Sequence, residues 1–266
     1  MTRRLLTKGG TFSPKGHFFA KRGHFFARRE LFNMKLSLIR TGQGFFFFHN
    51  LEKWPRNLLN DIEANCFVKS NFITVLEEKS LMEEVEPKVK RLKYETSHWD
   101  DAIHLFRERK FSKWSAENEA VIQRILDASF PSSSSEKSVW SGEAHVLDLH
   151  KDGHIRPHID SIRYCGEIVS GASLLSDCIM RLRHEKEKNL LVVDMHLPRL
   201  SLYKLSGAGR YEFTHEILPD KKSFFSDERL KVGRQRRISI ICRDLPKLKD
   251  ASVLEEIKFS RIPERD

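Results

Sequence analysis

After residue 144 the chain alternates apolar and polar residues in short runs that are separated by turn signals, a pattern typical of β-strands. The alternation predicts eight strands, which span residues 145–149, 154–160, 172–175, 178–184, 189–194, 200–205, 210–215 and 236–243. Short strands at this spacing favour a jelly roll, or double-stranded β-helix, whose interior can house a metal ion.

Before residue 144 the apolar residues follow a helical period instead. Ser115 is a good N-cap for a helix over residues 116–130, in which the apolar side chains form one stripe. A weaker helix covers about residues 75–85 and is expected to stop near Pro87. The run at 131–135, one proline and four serines, predicts a loop within one domain. The predicted fold is therefore mainly β (α+β), with a jelly-roll core supported by N-terminal helices.

Two His-x-Asp triplets lie close together in the chain. Residues i and i+2 of an extended strand point to the same side, so His158 and Asp160 can reach one metal ion. The other pair, His150 and Asp152, runs into an Asp-Gly dipeptide that ends at Gly153 and is a strong hairpin signal. We therefore assign His150 and Asp152 to a turn, where side chains are not held parallel.

A third candidate ligand is His215, which lies in the predicted strand 210–215. Tyr211, Phe213 and His215 alternate there with polar residues. By itself, a histidine on such an apolar face is more often a core residue than a ligand. Together with His158 and Asp160, however, it completes the set of two histidines and one carboxylate that non-haem Fe(II) oxygenases use, leaving three positions on the ion for co-substrate and O₂.

The last predicted strand carries two arginines on one face. Arg237, Ser239, Ile241 and Arg243 share that face by parity, and the residues between them share the other. A guanidinium that points into a barrel needs an anion, and its donors fit a carboxylate in bidentate fashion. A dicarboxylate such as 2-oxoglutarate would supply one.

Charge is distributed unevenly along the chain. The whole chain has a formal net charge of +10 and a pI near 9.5, which would suggest a nucleic-acid partner. Residues 1–51 hold ten of the basic residues and a single acid, Glu30, so residues 52–266 are nearly neutral. The basic run at 88–93 is interpreted as a solvated face. Nucleic acid stays an alternative that the near-neutral part does not support.

The first 51 residues resemble a mitochondrial transit peptide, being rich in arginine and almost free of acid. We expect a leader over 1–51, one domain over 52–250, a tail over 251–266, and a location in the mitochondrial matrix. Met34 is an alternative start. The four phenylalanines at 45–48 are too few to span a membrane, and the four cysteines lack CxxC spacing, so free thiols are expected.

Several motifs between about residues 70 and 246 closely resemble the AlkB dioxygenases, in particular their mitochondrial branch. They include Gly-His-Ile-Arg-Pro-His-Ile-Asp-Ser at 153–161 and Arg-Arg-Ile-Ser-Ile-Ile-Cys-Arg at 236–243. The other matching stretches are at 85–88, 98–104, 145–149 and 171–175. The resemblance implies three Fe(II) ligands: His158, Asp160 and His215.

The resemblance also implies a 2-oxoglutarate site and a reaction. Arg237 would pair with the distal carboxylate of 2-oxoglutarate, Arg243 would lie near the metal end, and Tyr203 would complete the pocket, although a buried aromatic is otherwise interpreted as packing. The implied reaction consumes O₂ and yields succinate and CO₂, with hydroxylation or oxidative demethylation of the substrate. The branch suggests roles in fatty-acid metabolism and programmed necrosis.

The substrate stays open at this stage, with a protein side chain and methylated mitochondrial RNA as the leading classes. A tRNA demethylase would bind RNA with an affinity that falls steeply with salt. A different alternative is a non-catalytic module that binds the metal and 2-oxoglutarate for interaction only. Such a module would be recognised by a lost ligand or a lost Arg237, and the sequence retains all of them.

Overall fold

The computed structural model describes residues 45–97, 101–130, 140–226 and 230–246. The leader up to residue 44, the serine-rich loop at 131–135 and the tail at 251–266 lie outside these ranges. The described helices are α1 (Arg56–Asn65), α2 (Val75–Val89), α3 (Ala116–Ser129) and α4 (Ala208–Tyr211). The described strands are β1 (Phe46–Phe48), β2 (Phe67–Lys69), β3 (Ile103–Phe111), β4 (Ala144–His158), β5 (Val169–Leu174), β6 (Cys178–His184), β7 (Val192–Leu197), β8 (Ser201–Leu205), β9 (Phe213–Ile217), β10 (Phe224–Phe225), β11 (Leu230–Lys231) and β12 (Arg237–Arg243).

Ten of these strands form one antiparallel sheet that curls around a buried interior. Its order is β1-β7-β6-β9-β4-β12-β5-β8-β2, with β3 pairing to β4 beside that path. Side chains from the two ends of this order, such as Phe46 of β1 and Val68 of β2, belong to one hydrophobic cluster. Because the ends of the sheet meet in one core, the sheet encloses it. The prediction of a mainly β jelly roll is confirmed.

A second hydrophobic cluster joins the helices to the outer face of the sheet. Leu81 and Val85 of α2 and Ile122 of α3 pack there against Ile238 and Ile240 of β12. The side chain of Ser115 accepts a hydrogen bond from the backbone of Asn118 at the start of α3, as its sequence predicts. The expectation of supporting helices on the outside of the β core is therefore confirmed.

Helix α2 is longer than its sequence predicts. It continues through Pro87 to Val89, whereas the sequence predicts a helix over about 75–85 that stops near Pro87. A proline removes one backbone donor and crowds the preceding turn, but only the last turn of α2 follows Pro87, and there Val89 is buried in the outer cluster. The N-terminus of α2 carries a complete capping box between Thr74 and Glu77.

The predicted hairpin at Asp152 and Gly153 is wrong, because β4 runs without a turn from Ala144 to His158. Strand β3 pairs along most of its length and has a register shift between His104 and Phe106. At this shift a β-carbon on Gly153 would lie 2.6 Å from the carbonyl oxygen of Leu105. The glycine therefore permits a close approach of the neighbouring strand, and His150 and Asp152 lie in a strand.

The predicted strand 210–215 is also partly wrong. Gly207 has a positive φ of 57° and is followed by the short helix α4, so the strand begins only at Phe213 and continues to Ile217. Tyr211 lies in α4 and is exposed, so it is not part of the apolar face on which His215 was predicted. The strand predicted at 189–194 lies at Val192–Leu197.

Five of the described strands were not predicted at all: β1, β2, β3 and the two-residue strands β10 and β11. Strand β1 lies in the stretch that the sequence assigned to the leader, yet its backbone pairs with β7. No helix among the described residues is long and apolar enough to cross a membrane. The four cysteines all fall within the described ranges, and each is a free thiol.

Candidate active site

Three side chains that can bind a metal converge where β4 ends beside β9. His158, the last residue of β4, pairs in register with His215, and the centroids of their rings are 4.3 Å apart. Asp160 follows just beyond the end of the strand, with its Oδ1 3.4 Å from Nε2 of His158 and 3.9 Å from Nε2 of His215. One ligand atom from each residue lies within 4.8 Å of the other two. The three residues are therefore close enough to share one ion.

The surroundings of the two histidines favour neutral imidazoles that can bind a metal ion. Nδ1 of His158 donates a hydrogen bond to the carbonyl oxygen of Arg156 at 2.9 Å, which directs Nε2 toward Asp160 and sets the tautomer. Burial, reinforced by the neighbouring His158, lowers the pKa of His215 to about 3. A neutral imidazole is the form that binds a metal.

Asp160 is held as a carboxylate by its contact with Arg243. Burial alone would raise the pKa of Asp160, but Arg243 and the two histidines hold it well below its usual range. Nε of Arg243 donates to Oδ2 of Asp160 at 2.8 Å, while Oδ1 is the oxygen nearer the histidines. The carboxylate is therefore oriented, with one oxygen engaged by Arg243 and the other aimed at the candidate metal position.

The ligands border a cavity inside the curled sheet. On β12 the residues Arg237, Ser239, Ile241 and Arg243 line it, as their parity predicts. The remaining lining is mostly apolar and consists of Ile103, His145, Leu147, Ile155, His158, Val169, Met180, Tyr203, Leu205, His215 and Ile217. A largely apolar cavity with a few convergent polar groups is typical of a small-molecule site.

Arg237 is buried in this cavity without a carboxylate partner. The residue is 2% exposed, and within the described part of the chain its side chain donates to the hydroxyls of Ser173 at 3.0 Å and Ser239 at 3.4 Å. Among the residues that the structure describes, no acidic group forms an ion pair with it. Burying a charge that is not paired costs several kcal/mol. This arrangement fits an arginine whose counter-ion is a bound anion.

Tyr203 lies between the two arginines of β12. Its hydroxyl is 3.4 Å from Oγ of Ser239, and its ring lies against Gly171, its register partner on β5. A β-carbon on Gly171 would come within 2.6 Å of the tyrosine hydroxyl. The glycine is therefore needed to give the ring room, and the phenol is placed in the cavity beside Ser239, to which Arg237 also donates.

Two other buried arginines differ from Arg237 in their surroundings. Arg210 donates to the carbonyl oxygens of Cys165 and Gly166, and Arg234 donates to the carbonyl oxygen of Leu218. Neither of them lines the cavity. Backbone carbonyls supply some of their partners, whereas Nη1 of Arg210 and Nε and Nη2 of Arg234 are buried without a hydrogen-bond partner among the described residues. What distinguishes Arg237 is its position in the cavity that the candidate metal ligands border.

The structure brings the six candidate residues of the sequence into one place. Five of them line the cavity, and Asp160 joins them through its contacts with both histidines and Arg243. Sequence reasoning placed Ser239 on the same face as Arg237 but missed Ser173, and it gave no role to His145. Ser173 belongs to the stretch at 171–175 that resembles the AlkB dioxygenases, so the sequence did contain a signal for it.

Comparison with known proteins decides the family. No protein-family model matches the chain. A protein of Bos taurus named alpha-ketoglutarate-dependent dioxygenase alkB homolog 7, mitochondrial, is 44% identical over 190 residues, which cover 71% of this chain and 82% of the bovine protein. The Mus musculus protein of the same name is 43% identical over 189 residues with the same coverage. The chain belongs to the alkB homolog 7 family.

Solved structures resemble this member of the AlkB dioxygenases only remotely in sequence. A structure described as OsALKBH1 has a TM-score of 0.49 and 12% identity, covering 67% of this chain and 97% of that chain. A prolyl hydroxylase from Trichoplax adhaerens, in complex with a peptide fragment of hypoxia inducible factor, has a TM-score of 0.49 and 11% identity. That similarity covers 92% of this chain and 99% of the hydroxylase.

Membership makes this chain a dioxygenase that depends on 2-oxoglutarate, the same compound as alpha-ketoglutarate. The family therefore implies 2-oxoglutarate as co-substrate, O₂ and a metal ion. The cavity fits these groups, because it combines neutral imidazoles and an oriented carboxylate with a buried arginine that lacks an acidic partner. The expected AlkB-like enzyme class is thus confirmed.

Proposed function

We propose that His158, Asp160 and His215 hold Fe(II), and that Arg237 anchors 2-oxoglutarate for oxidation of a C–H bond in a macromolecular substrate. The burial of Arg237 in the cavity without an acidic partner carries this proposal. Two imidazoles and a carboxylate favour Fe(II) among the common metal ions when three positions stay open.

The residues of the cavity divide the work of binding and orientation. Arg237 and the hydroxyl of Tyr203 receive the distal carboxylate of 2-oxoglutarate, because both contact the hydroxyl of Ser239. Arg243 holds Asp160 in position and stays close to the metal end. Bound Fe(II) supplies O₂ activation, with 2-oxoglutarate converted to succinate and CO₂ as the substrate is hydroxylated or demethylated.

A protein side chain is the substrate class that the charge distribution favours. The part of the chain after residue 51 is nearly neutral, whereas a nucleic-acid site needs a basic surface. In the basic run at 88–93, Lys88 lies over the ring of Phe111 and Lys90 is 3.5 Å from Glu86. These lysines already have partners within the fold, which weakens their case as phosphate contacts.

The proposed location is the mitochondrial matrix. Both curated relatives are named mitochondrial, and the basic, acid-poor start of the chain is typical of a transit peptide. We place the end of the leader before Phe45, because β1 at Phe46–Phe48 is hydrogen-bonded in the sheet. We also propose that the protein has roles in fatty-acid metabolism and programmed necrosis. Import of the full chain into isolated mitochondria, followed by N-terminal sequencing, tests the location and the cleavage point.

The metal site is tested by an anaerobic titration of the leader-free protein with Fe(II) and 2-oxoglutarate, following the visible charge-transfer band. His158→Ala and Asp160→Ala are expected to abolish the band and turnover of 2-oxoglutarate to succinate. The other His-x-Asp pair supplies matched controls, since His150 and Asp152 lie on the same strand but outside the cavity. His150→Ala and Asp152→Ala should behave like the wild type.

Two outcomes would change the proposal. A well-folded wild type that gives no band would favour the non-catalytic binding module. Methylated RNA would replace a protein as the substrate class if the leader-free enzyme bound it with an affinity that falls steeply with salt. Absent or salt-independent RNA binding would leave the protein substrate in place.

A further inference from the structure

A row of four polar side chains runs from the candidate metal site to the protein surface. Asp160 accepts from Nε of Arg243 at 2.8 Å, and Nη1 of Arg243 lies 3.3 Å from Nδ1 of His145. Nε2 of His145 is 2.8 Å from Oε2 of Glu108. Exposure increases along the row, from 9% for the side chain of Asp160 to 31% for that of Glu108. The outer pair has no role in the site described so far.

Strand pairing places His145 and Glu108 together. His145 pairs with Lys110 across β3 and β4, and Glu108 pairs with Leu147. His145 and Glu108 are therefore diagonal neighbours on one face of the strand pair, close enough for long side chains to meet. On its other side His145 faces β12, where it pairs with Ile241, two residues before Arg243.

The chemistry of the row sets the tautomer of His145. A guanidinium can only donate, so Nδ1 of His145 must accept from Arg243 and carry no proton. The proton then resides on Nε2, whose 2.8 Å contact with Oε2 of Glu108 is electrostatic. Glu108 thus favours the one neutral form of His145 that can receive a hydrogen bond from Arg243.

We propose that Glu108 and His145 are positioning residues that hold Arg243, and through it Asp160, in the orientation that binds the metal. Without them, Arg243 would be fixed on the Asp160 side alone, and its long side chain would retain rotamer freedom. Residues that hydrogen-bond metal ligands from outside are known to tune metal affinity and activity. The inference rests on the proposed function, because it assigns a purpose to the same metal site.

Four variants of the leader-free enzyme test this role in the anaerobic titration. His145→Leu removes both contacts and should weaken Fe(II) affinity about 10- to 100-fold. His145→Asn keeps an acceptor near the Nδ1 position and should recover most of the affinity. His145→Gln places its amide further out, toward Glu108, and should leave the Fe(II) affinity low. Glu108→Ala should weaken affinity in the same direction as His145→Leu but by less.

A thermal unfolding midpoint is measured for each metal-free variant, with His150→Asn on the same strand as the control. A positioning role predicts that the midpoints stay near that of the control while Fe(II) affinity falls. Rescue by asparagine and not by glutamine would further support the acceptor at Nδ1.

The outcomes separate this inference from the proposed function. If the wild type forms the band and His145→Leu binds Fe(II) as tightly as the wild type, the positioning role is overturned while the metal site stands. Losses that simply follow the unfolding midpoint would also overturn it. A wild type that gives no band would overturn the proposed function, and the inference would be withdrawn with it.

Discussion

Two adjacent arginines at the start of β12 point to opposite faces of the sheet and meet different surroundings. Arg236 points outward and is engaged by Asp148 and by Glu86. Arg237 points into the cavity, where it donates to the hydroxyls of Ser173 and Ser239. The two residues have the same chemistry and neighbouring backbones, so the difference between them comes from what each face of the sheet provides.

The outer face is a closed network of charges. The buried carboxylate of Asp148 accepts from Arg236, from Nε of Arg107 at 2.7 Å and from the hydroxyl of Tyr94 at 3.1 Å. Glu86 of α2 takes the two terminal nitrogens of Arg236 at 2.9 and 2.7 Å. Every charge there is matched within the chain, so this face holds α2 and β3 to the sheet.

The inner face is electrostatically incomplete by comparison. Arg237 is more deeply buried than Arg236 yet has no acidic partner among the described residues. Satisfied charges on the outside contribute to the fold, whereas an unmatched charge inside is a cost that a ligand can remove. The comparison therefore predicts that stability and co-substrate binding can be changed separately by variants on the two faces.

The largest effect on stability is expected from Asp148→Ala on the outer face. The variant would leave Arg107 buried without its carboxylate and would remove one of the two partners of Arg236. Breaking a buried pair in this way costs about 3–5 kcal/mol of the free energy of unfolding. Urea unfolding of the metal-free protein measures it. The affinity of the remaining folded protein for 2-oxoglutarate should not change.

Asp152→Ala is the control for that experiment, because Asp152 is an exposed acid on the same strand. It should change the free energy of unfolding by less than about 0.5 kcal/mol. A cost of Asp148→Ala that is as small as that of the control would show that the outer network does not hold the fold together.

The next effect is a loss of co-substrate binding in Arg237→Met on the inner face. Removal of the buried guanidinium should weaken binding of 2-oxoglutarate by about 2–4 kcal/mol, because a charge-assisted contact is lost. The free energy of unfolding without ligand should stay the same or rise, since the cost of burying an unmatched charge disappears. Calorimetric titration and urea unfolding give the two quantities.

Arg236→Met is the matched partner variant, one residue away on the opposite face. It should lose stability and keep the affinity for 2-oxoglutarate. If Arg237→Met binds 2-oxoglutarate as well as the wild type does, the anchor for the distal carboxylate must be assigned to another group. A parallel loss of stability in both variants would show that the two faces do not differ as described.

The inner face of β12 could be predicted from sequence because its information is local. Alternation along one strand places Arg237, Ser239 and Arg243 on one side whatever the rest of the fold does. The fold class followed from the same periodicity. The approach of His158 to Asp160 was predicted from strand parity, yet it is achieved just beyond the end of β4.

The partners across strands could not be predicted in this way. Strand β3 contains the run Arg-Glu-Arg-Lys at 107–110, which has the composition of a solvated segment. Two of these residues have partners on β4, Arg107 with Asp148 and Glu108 with His145, that only the register of the sheet supplies. The Asp-Gly pair ending at Gly153 led to the wrong hairpin prediction for a related reason. A glycine that permits close approach of a neighbouring strand looks, in the local sequence, the same as a glycine in a turn.

The smallest effect is a pH-dependent loss of stability in Glu86→Gln on the outer face. The hydrogen bonds from Arg236 are the main cause that lowers the pKa of Glu86 from its ordinary value. A depressed pKa adds stability above the ordinary pKa of a glutamate, and this is lost as pH falls through the folded value. Both side chains are partly exposed, so the contribution near pH 7 should be about 1 kcal/mol.

Urea unfolding of wild type and Glu86→Gln across a pH series measures this contribution. The difference in free energy of unfolding should be largest near neutral pH and should narrow as pH falls from the ordinary glutamate pKa through the lower folded value, because Glu86 takes up a proton first in the unfolded chain and only then in the folded wild type. Binding of 2-oxoglutarate at neutral pH should be equal in the two proteins, since the side chain of Glu86 pairs with the outward-facing Arg236 and with Lys90 and does not line the cavity. A difference that stays constant with pH would mean that the variant perturbs packing of α2 and not the charge of the network.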